Sequence, residues 1–276
     1  MPAGPDFQDG PRGVRNHRRL FLRQAPPLTY VVGDIHGCRG LFEKMLERIC
    51  NDAQDSERQS PVLVVLVGDV IDRGRDTAGV LDILTKRRPD EDNLEILCLL
   101  GNHEAMLLDI IAGSEPGAVW LGNGGAETLQ SYGQPGDAQR FGEMPLRELR
   151  RVIDASVPDT HISFLQHCPI SLRFPGYLIT HSGLSGEKTL SNQQDRDLLW
   201  SKPSDLDTSE KASVAREDLD RHNLRLVHGH VPQKNVDFRP HRINVDTGAY
   251  SSGKLSALRI PAGQSPVQIA VTGGQD

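Results

Sequence analysis

Residues 28–37 read LTYVVGDIHG, and the reading of this stretch settles the fold class. Thr29 to Val32 is a β-branched and aromatic run with strand character, and Gly33 ends it. Leu41, Met45, Leu46 and Ile49 then recur at i, i+4, i+5 and i+8, which is one face of a helix. Val62 to Val67 is a continuous apolar run, expected of a strand covered on both faces. Val80, Ile83 and Leu84 mark a second helix. Leu94 to Leu100 is a third strand and feeds a helix from about Glu104 to Ile111. A βαβαβ opening of this kind specifies a layered α/β domain.

Working outward, residues 112–170 lose the strand pattern. A Gly-rich turn (Gly122 to Gly125) precedes two short helical patterns, Leu146, Leu149, Ile153 and Ile162, Leu165, so this region reads as a helical insertion. After it come short segments spaced like antiparallel strands: Tyr177–Thr180, Leu224–Val227, Arg242–Val245, Lys254–Ile260 and Val267–Val271. Residues 1–26 are rich in Pro, Gly and Arg and read as a flexible lead-in tail. Their arginines (Arg15, Arg18, Arg19, Arg23) leave a weak anionic docking role open.

Composition narrows the function. Among 276 residues, 37 acids against 31 bases leave a net charge of −6, which supplies no global field for nucleic acid. No apolar run approaches the roughly 18 residues that span a bilayer. The cysteines Cys38, Cys50, Cys98 and Cys168 form no CxxC pair, which suits buried thiols in a reducing cytoplasm; only Cys38, beside a motif, is a candidate for oxidation.

Three strand ends carry polar clusters: GDIHG (33–37), GDVIDRG (68–74) and GNHE (101–104). Two later ones carry THSG (180–183) and HGH (228–230). Ligands of open α/β sheets collect outside the carboxyl ends of strands, where all five lie. One Asp-x-His is weak evidence; an ordered series is not a property of turns.

The series GDIHG, GDVIDRG, GNHE, THSG, HGH resembles the calcineurin-like metallophosphoesterase superfamily. Within it the chain is similar to the phosphoprotein phosphatase family of bacterial and bacteriophage lambda type, as are WLGNGG (120–125), LWS (199–201) and DTGA (246–249). The resemblance implies a four-layer α-β-β-α sandwich of two mixed sheets with a helical cap insertion at 112–170, in one domain over 27–276. It implies a metal-dependent phosphomonoester hydrolase, a serine/threonine protein phosphatase, working through a binuclear centre and a metal-bridging hydroxide. Asp34, His36 and Asp69 would hold one ion, with Asp69 bridging to a second held by Asn102, His181 and His230. An oxygen and imidazole set without thiolate suits Mn²⁺, with Fe or Zn²⁺ also compatible. Such a centre leaves a net positive pocket that attracts a phosphate dianion even in an acidic protein.

Arg73 would bind phosphate oxygens through its planar fork, with Asn102 beside it. His103 would protonate the leaving oxygen, oriented and charged by Asp72. Relatives place a second phosphate-binding arginine after the Trp, where this chain has Lys202. Either Lys202 acts as a point charge, or Arg196 or Arg225 reaches in. A symmetrical dinucleoside tetraphosphate hydrolase is the alternative, and a non-catalytic metal-site scaffold a more distant one. The intact Asp72-Arg73-Gly74 disfavours the first, which typically lacks that Asp. The expected substrate is a phosphorylated protein or small phosphoester, with no nucleic-acid or membrane partner, in the cytoplasm. His228 and Asp246 are read as residues behind the ligands, Glu104 as a first-turn carboxylate, and Trp120 as core or cleft lining. His17, His161, His167, His222 and His241 are read as ordinary residues.

Overall fold

The computed structural model describes residues 18–54, 62–87, 93–114, 116–207 and 213–273. Its strands are β1 (Arg19–Phe21), β2 (Leu28–Val32), β3 (Val62–Leu66), β4 (Leu94–Cys98), β5 (Ser171–Phe174), β6 (Tyr177–Thr180), β7 (Arg225–His228), β8 (Asp237–Phe238), β9 (Arg242–Asn244), β10 (Lys254–Pro261) and β11 (Val267–Thr272). They build a five-stranded sheet in the order β11-β10-β2-β3-β4 and a six-stranded sheet in the order β1-β5-β6-β7-β9-β8. Both are mixed. β2, β3 and β4 run parallel, while β10 is antiparallel to β2 and β11.

The period-two alternation of strands sorts their side chains into two cores. Val31, Leu63, Val65, Ile179, Val227 and Ile243 meet between the sheets. Tyr30, Val32, Val64 and Leu66 face the other way, onto helix α1 (Arg39–Gln54) and its neighbours. Each such fully buried aliphatic side chain contributes roughly 1.5–3 kcal/mol. This is the four-layer sandwich, and the continuous apolar run of β3 has the reason expected of it. Helices α2 (Thr77–Lys86) and α3 (Asn102–Ala112) complete that layer; Asp76 caps α2 by accepting the Gly79 amide at 2.7 Å.

Two expectations need correction. β6, β7 and β9 pair parallel, because the chain between β6 and β7 contains the helices Asp195–Trp200 and Val214–Arg221, which can carry a crossover. The lead-in is also not wholly a tail. Arg19–Phe21 pairs parallel with β5, Arg18 binds the His167 carbonyl at 3.1 Å, and Arg19 binds the Gln193 carbonyl at 2.7 Å. Arg18 and Arg19 are spent on the fold itself. A three-residue edge strand carries too little alternation to be read from sequence; residues 1–17 lie outside the described residues.

Between α3 and β5 the chain is helical, as expected. Helices 146–156 and 159–167 pack on α2 and α3 through Leu149, Ile153 and Leu165. Helices at 126–131 and 138–142, not foreseen, precede them. This insertion is pinned by a residue that sequence reading passed over. His161 is 2% exposed, its Nδ1 lies 2.7 Å from the Tyr132 hydroxyl, and its Nε2 lies 3.2 Å from Asp82 on α2. Burial lowers its pKa from 6.5 and outweighs the pull of Asp82. A base with a lowered folded-state pKa contributes stability that is complete above its unfolded value and lost as pH falls below it. Unfolding measured at pH 7.5 and 5.5 should therefore show acid destabilisation that His161→Phe reduces, with a cost of about 1–3 kcal/mol at the higher pH. Equal pH slopes in the two proteins would exclude this role.

Candidate metal and active site

Five loops at the carboxyl ends of β2, β3, β4, β6 and β7 converge, and their backbone is forced into unusual conformations. His36, Asp69, Asp72, Arg73 and His230 all have positive φ, between 46° and 71°. Such non-glycine strain costs on the order of 1–3 kcal/mol per residue and persists only where surroundings impose it. The glycines between these residues allow close approach. A Cβ on Gly101 would lie 2.2 Å from Asp69 Oδ1, and one on Gly229 would lie 2.0 Å from Asp34 Oδ1.

Glu104 imposes much of this geometry. It is fully buried and accepts the amides of Asp69 (2.9 Å), Val70 (2.8 Å), Ile71 (3.2 Å) and Gly101 (2.8 Å). The expectation of a first-turn carboxylate is correct but incomplete, because this side chain also ties the β3 loop to the start of α3. Burial and the charge of Asp69 push its pKa up to about 7.

Asp69 lies at the centre. Its Oδ2 is 3.6 Å from His36 Nε2 and 3.8 Å from His103 Nε2, and its Oδ1 is 3.4 Å from His181 Nε2. Asn102 Oδ1 lies 2.8 Å from His181 Nε2 and 2.9 Å from His230 Nδ1, and these two imidazole nitrogens are 3.2 Å apart. Asp34 accepts the His230 amide at 3.0 Å. Two donor groups result, His36/Asp69/His103 and Asp69/His181/His230, with Asp69 common to both.

Their hydrogen bonding reveals what the donors await. His36 Nδ1 donates to the Ile71 carbonyl at 2.9 Å, and His181 Nδ1 donates to the Val67 carbonyl at 3.1 Å. Each Nε2 is therefore a bare lone pair aimed at carboxylate or amide oxygen. Lone pairs facing lone pairs in a buried site repel unless cations lie between them. Burial holds His36 at about 3 and His230 at about 4, neutral and able to ligate. Asp34 is pushed well above the carboxylate range by burial and by the charges of Asp246 and Asp69. This donor set fits divalent cations.

His103 behaves differently from the other three imidazoles. Burial alone would lower its pKa, but Asp69 and the Asp72 hydrogen bond raise it. Its Nδ1 is 2.7 Å from Asp72 Oδ2. Asp72 is completely buried and also accepts Trp120 Nε1 (2.9 Å) and Thr128 Oγ1 (2.7 Å). The structure thus gives Trp120 a polar task beyond packing and adds Thr128, which sequence reading missed. Both come from the helical insertion; the WLGNGG segment marked Trp120, but the bonds of Trp120 and Thr128 to Asp72 join parts of the chain that no local spacing relates.

Arg73 is held by its amide on the Gly124 carbonyl (3.2 Å), and its guanidinium lies 4.8 Å from the Tyr250 ring centre. Tyr250 also meets His36 edge-on at 5.3 Å and was not foreseen. Lys202 is exposed and follows Ser201, whose carbonyl accepts the Gly183 amide at 3.2 Å, close in the chain to His181. Arg225 is spent elsewhere, bonding the Arg239 carbonyl at 2.6 Å and lying 5.9 Å from the Phe238 ring. Arg196 is exposed and makes no recorded contact with the cluster. His228 is buried, donates to the Gly229 carbonyl at 3.0 Å, and joins no donor group; Asp246 accepts the Gly248 amide at 2.8 Å.

The two-sheet α/β sandwich thus gathers aspartates and histidines at its strand ends in a set able to hold a metal ion. The chain belongs to the calcineurin-like phosphoesterase family, whose pattern matches residues 28–257. Serine/threonine-protein phosphatase 1 of Salmonella typhimurium is 41% identical over 97 residues, 35% of this chain and 38% of its own length. Serine/threonine-protein phosphatase 2 of Escherichia coli is 26% identical across 84% of this chain and 92% of its own. The asymmetrical bis(5'-nucleosyl)-tetraphosphatase PrpE of Bacillus thuringiensis is 25% identical across 84% and 89%. Among solved structures, a Saccharomyces cerevisiae protein serine/threonine phosphatase with similarity to human phosphatase PP5 superposes with a TM-score of 0.57 at 15% identity. That match covers 90% of this chain and 81% of the other, and shows the shared fold. Among the described residues no helix is long and apolar enough to cross a membrane.

Proposed function

We propose that the chain is a binuclear metal-dependent phosphomonoesterase that removes phosphate from phosphoserine and phosphothreonine of proteins. Asp34, His36 and Asp69 would hold one ion, and Asp69, Asn102, His181 and His230 the other. The oxygen and imidazole donors favour Mn²⁺, with Fe and Zn²⁺ also compatible. When bound, the ions supply Lewis acidity that activates water and offsets phosphate charge. Arg73 orients the phosphate by its guanidinium, the Asn102 amide contacts a phosphate oxygen, and Lys202 adds a point charge at the rim. His103 holds the proton for the leaving oxygen on Nε2, with Nδ1 fixed by Asp72. Free thiols at Cys38, Cys50, Cys98 and Cys168 accord with a cytoplasmic setting.

The observation that carries this reading is the 2.7 Å His103–Asp72 contact, reinforced by Trp120 and Thr128. It maintains an acid suited to an alkoxide leaving group. The second reading, cleavage of a dinucleoside tetraphosphate, draws support from the PrpE relative, but phosphoanhydride departure needs less proton assistance. Apoprotein reconstituted with Mn²⁺ should hydrolyse a phosphoserine peptide and p-nitrophenyl phosphate faster than diadenosine tetraphosphate. His103→Asn should lose about 10²–10⁴-fold. Preference for the dinucleotide would transfer the assignment to the second reading.

A further inference from the structure

Beside the cluster, a cleft of about 290 Å³ opens between the GDIHG turn and the loop that follows Arg73. Gly37, Cys38, Gly40, Arg73, Arg75 and Tyr250 are among the residues that line it. Arg73 lines the cleft and lies over Tyr250, which meets His36 of the cluster edge-on, so a substrate whose phosphate reached Arg73 would extend into this space. At the lower limit of ordinary ligand pockets, the volume suits one side chain better than a nucleoside.

The charges of the cleft are unequally matched. Arg39 meets two carboxylates, Glu43 at 2.8 Å and Asp76 at 3.4 Å, and with Arg73 and Arg75 the lining carries three guanidinium groups against these two acids. Arg73 lies over Tyr250, and Arg75 is exposed; neither has a carboxylate partner among the described residues. With Arg73 assigned to the scissile phosphate, Arg75 remains as a cation two residues away with nothing to bind. A guanidinium at the edge of a small cleft recognises a carboxylate through paired hydrogen bonds.

We infer that Arg75 is a specificity-determining residue that binds an acidic side chain adjacent to the phosphorylated residue, so that acid-flanked phosphoserine is the preferred substrate. This rests on the phosphoprotein reading of the site. The preference is a ratio of rates on matched peptides carrying Glu, Ala or Lys beside the phosphoserine, and kcat/KM should rank them Glu, Ala, Lys. An exposed charge pair corresponds to about 1.5- to fivefold between Glu and Ala, appearing mainly in KM. Arg75→Lys should keep the ranking with a smaller ratio, and Arg75→Glu should invert it in favour of Lys. Inversion cannot follow from a general loss of structure, which would lower all three rates together. Equal wild-type rates on the three peptides, or an acid preference that survives Arg75→Glu, would overturn the assignment. Failure on every phosphopeptide with turnover of diadenosine tetraphosphate would instead defeat the reading beneath it.

Discussion

Asp69→Asn should reduce bound divalent metal from two equivalents to at most one and lower kcat/KM by about three orders of magnitude or more. The magnitude follows from the several kcal/mol that such ions supply to charge stabilisation, at about 1.4 kcal/mol per tenfold. The cause is specific to this residue. Among the described residues Asp69 is the carboxylate common to both donor groups, Oδ2 toward His36 and Oδ1 toward His181. Burial opposes its ionisation, yet the His103 imidazole, whose own pKa is raised, helps hold that of Asp69 well below the usual range. Asparagine keeps the shape but removes the charge, and its amide can donate to one of the bare imidazole nitrogens. The metal-free variant should therefore melt no lower than the metal-free wild type, which separates loss of metal from loss of fold. Two equivalents retained with full turnover would show that the donor arrangement has another purpose.

Asp72→Asn is the second large effect, expected to cost about 10²-fold in kcat, within the range for general acid catalysis. Metal content should be unchanged, because Asp72 is spent on His103, Trp120 and Thr128. The pH profile carries the sharper information. Burial pulls the His103 pKa down, while Asp69 and Asp72 pull it up and prevail. Removing the Asp72 charge lets the pKa fall, so the acid form is lost at lower pH and the alkaline limb of kcat moves downward. Loss of a metal equivalent would instead identify Asp72 as a ligand, and an unmoved limb would remove His103 from proton transfer.

How much of this was legible before folding depended on whether a residue's task is local. The strands β2 and β3 were readable because burial on both faces demands near-continuous apolar runs, whereas β4, an edge strand with Glu95 exposed, was readable from its Leu and Ile content. Most of the metal and catalytic candidates were readable because they fall in short segments that follow a strand, with Asn102 and His103 in the first turn of α3. β1 was not, since three residues with exposed Phe21 carry no alternation. The parallel pairing of β6, β7 and β9 was also missed, since strand spacing says nothing of direction once helices intervene. Trp120, Thr128 and Tyr250 fall in the same class: their partners are 48, 56 and 177 residues distant in the chain.

The sequence by itself determined the α/β class, the order of the chemistry-bearing loops and the residue types of the candidate metal cluster, because these depend on periodicity and local spacing. Only the tertiary structure decided which lone pairs face one another, which histidine is paired to a carboxylate, and which arginine is left over. Those are contacts between loops that meet solely through the packing of two sheets, and Coulomb energies depend on that separation in space and on the burial it creates.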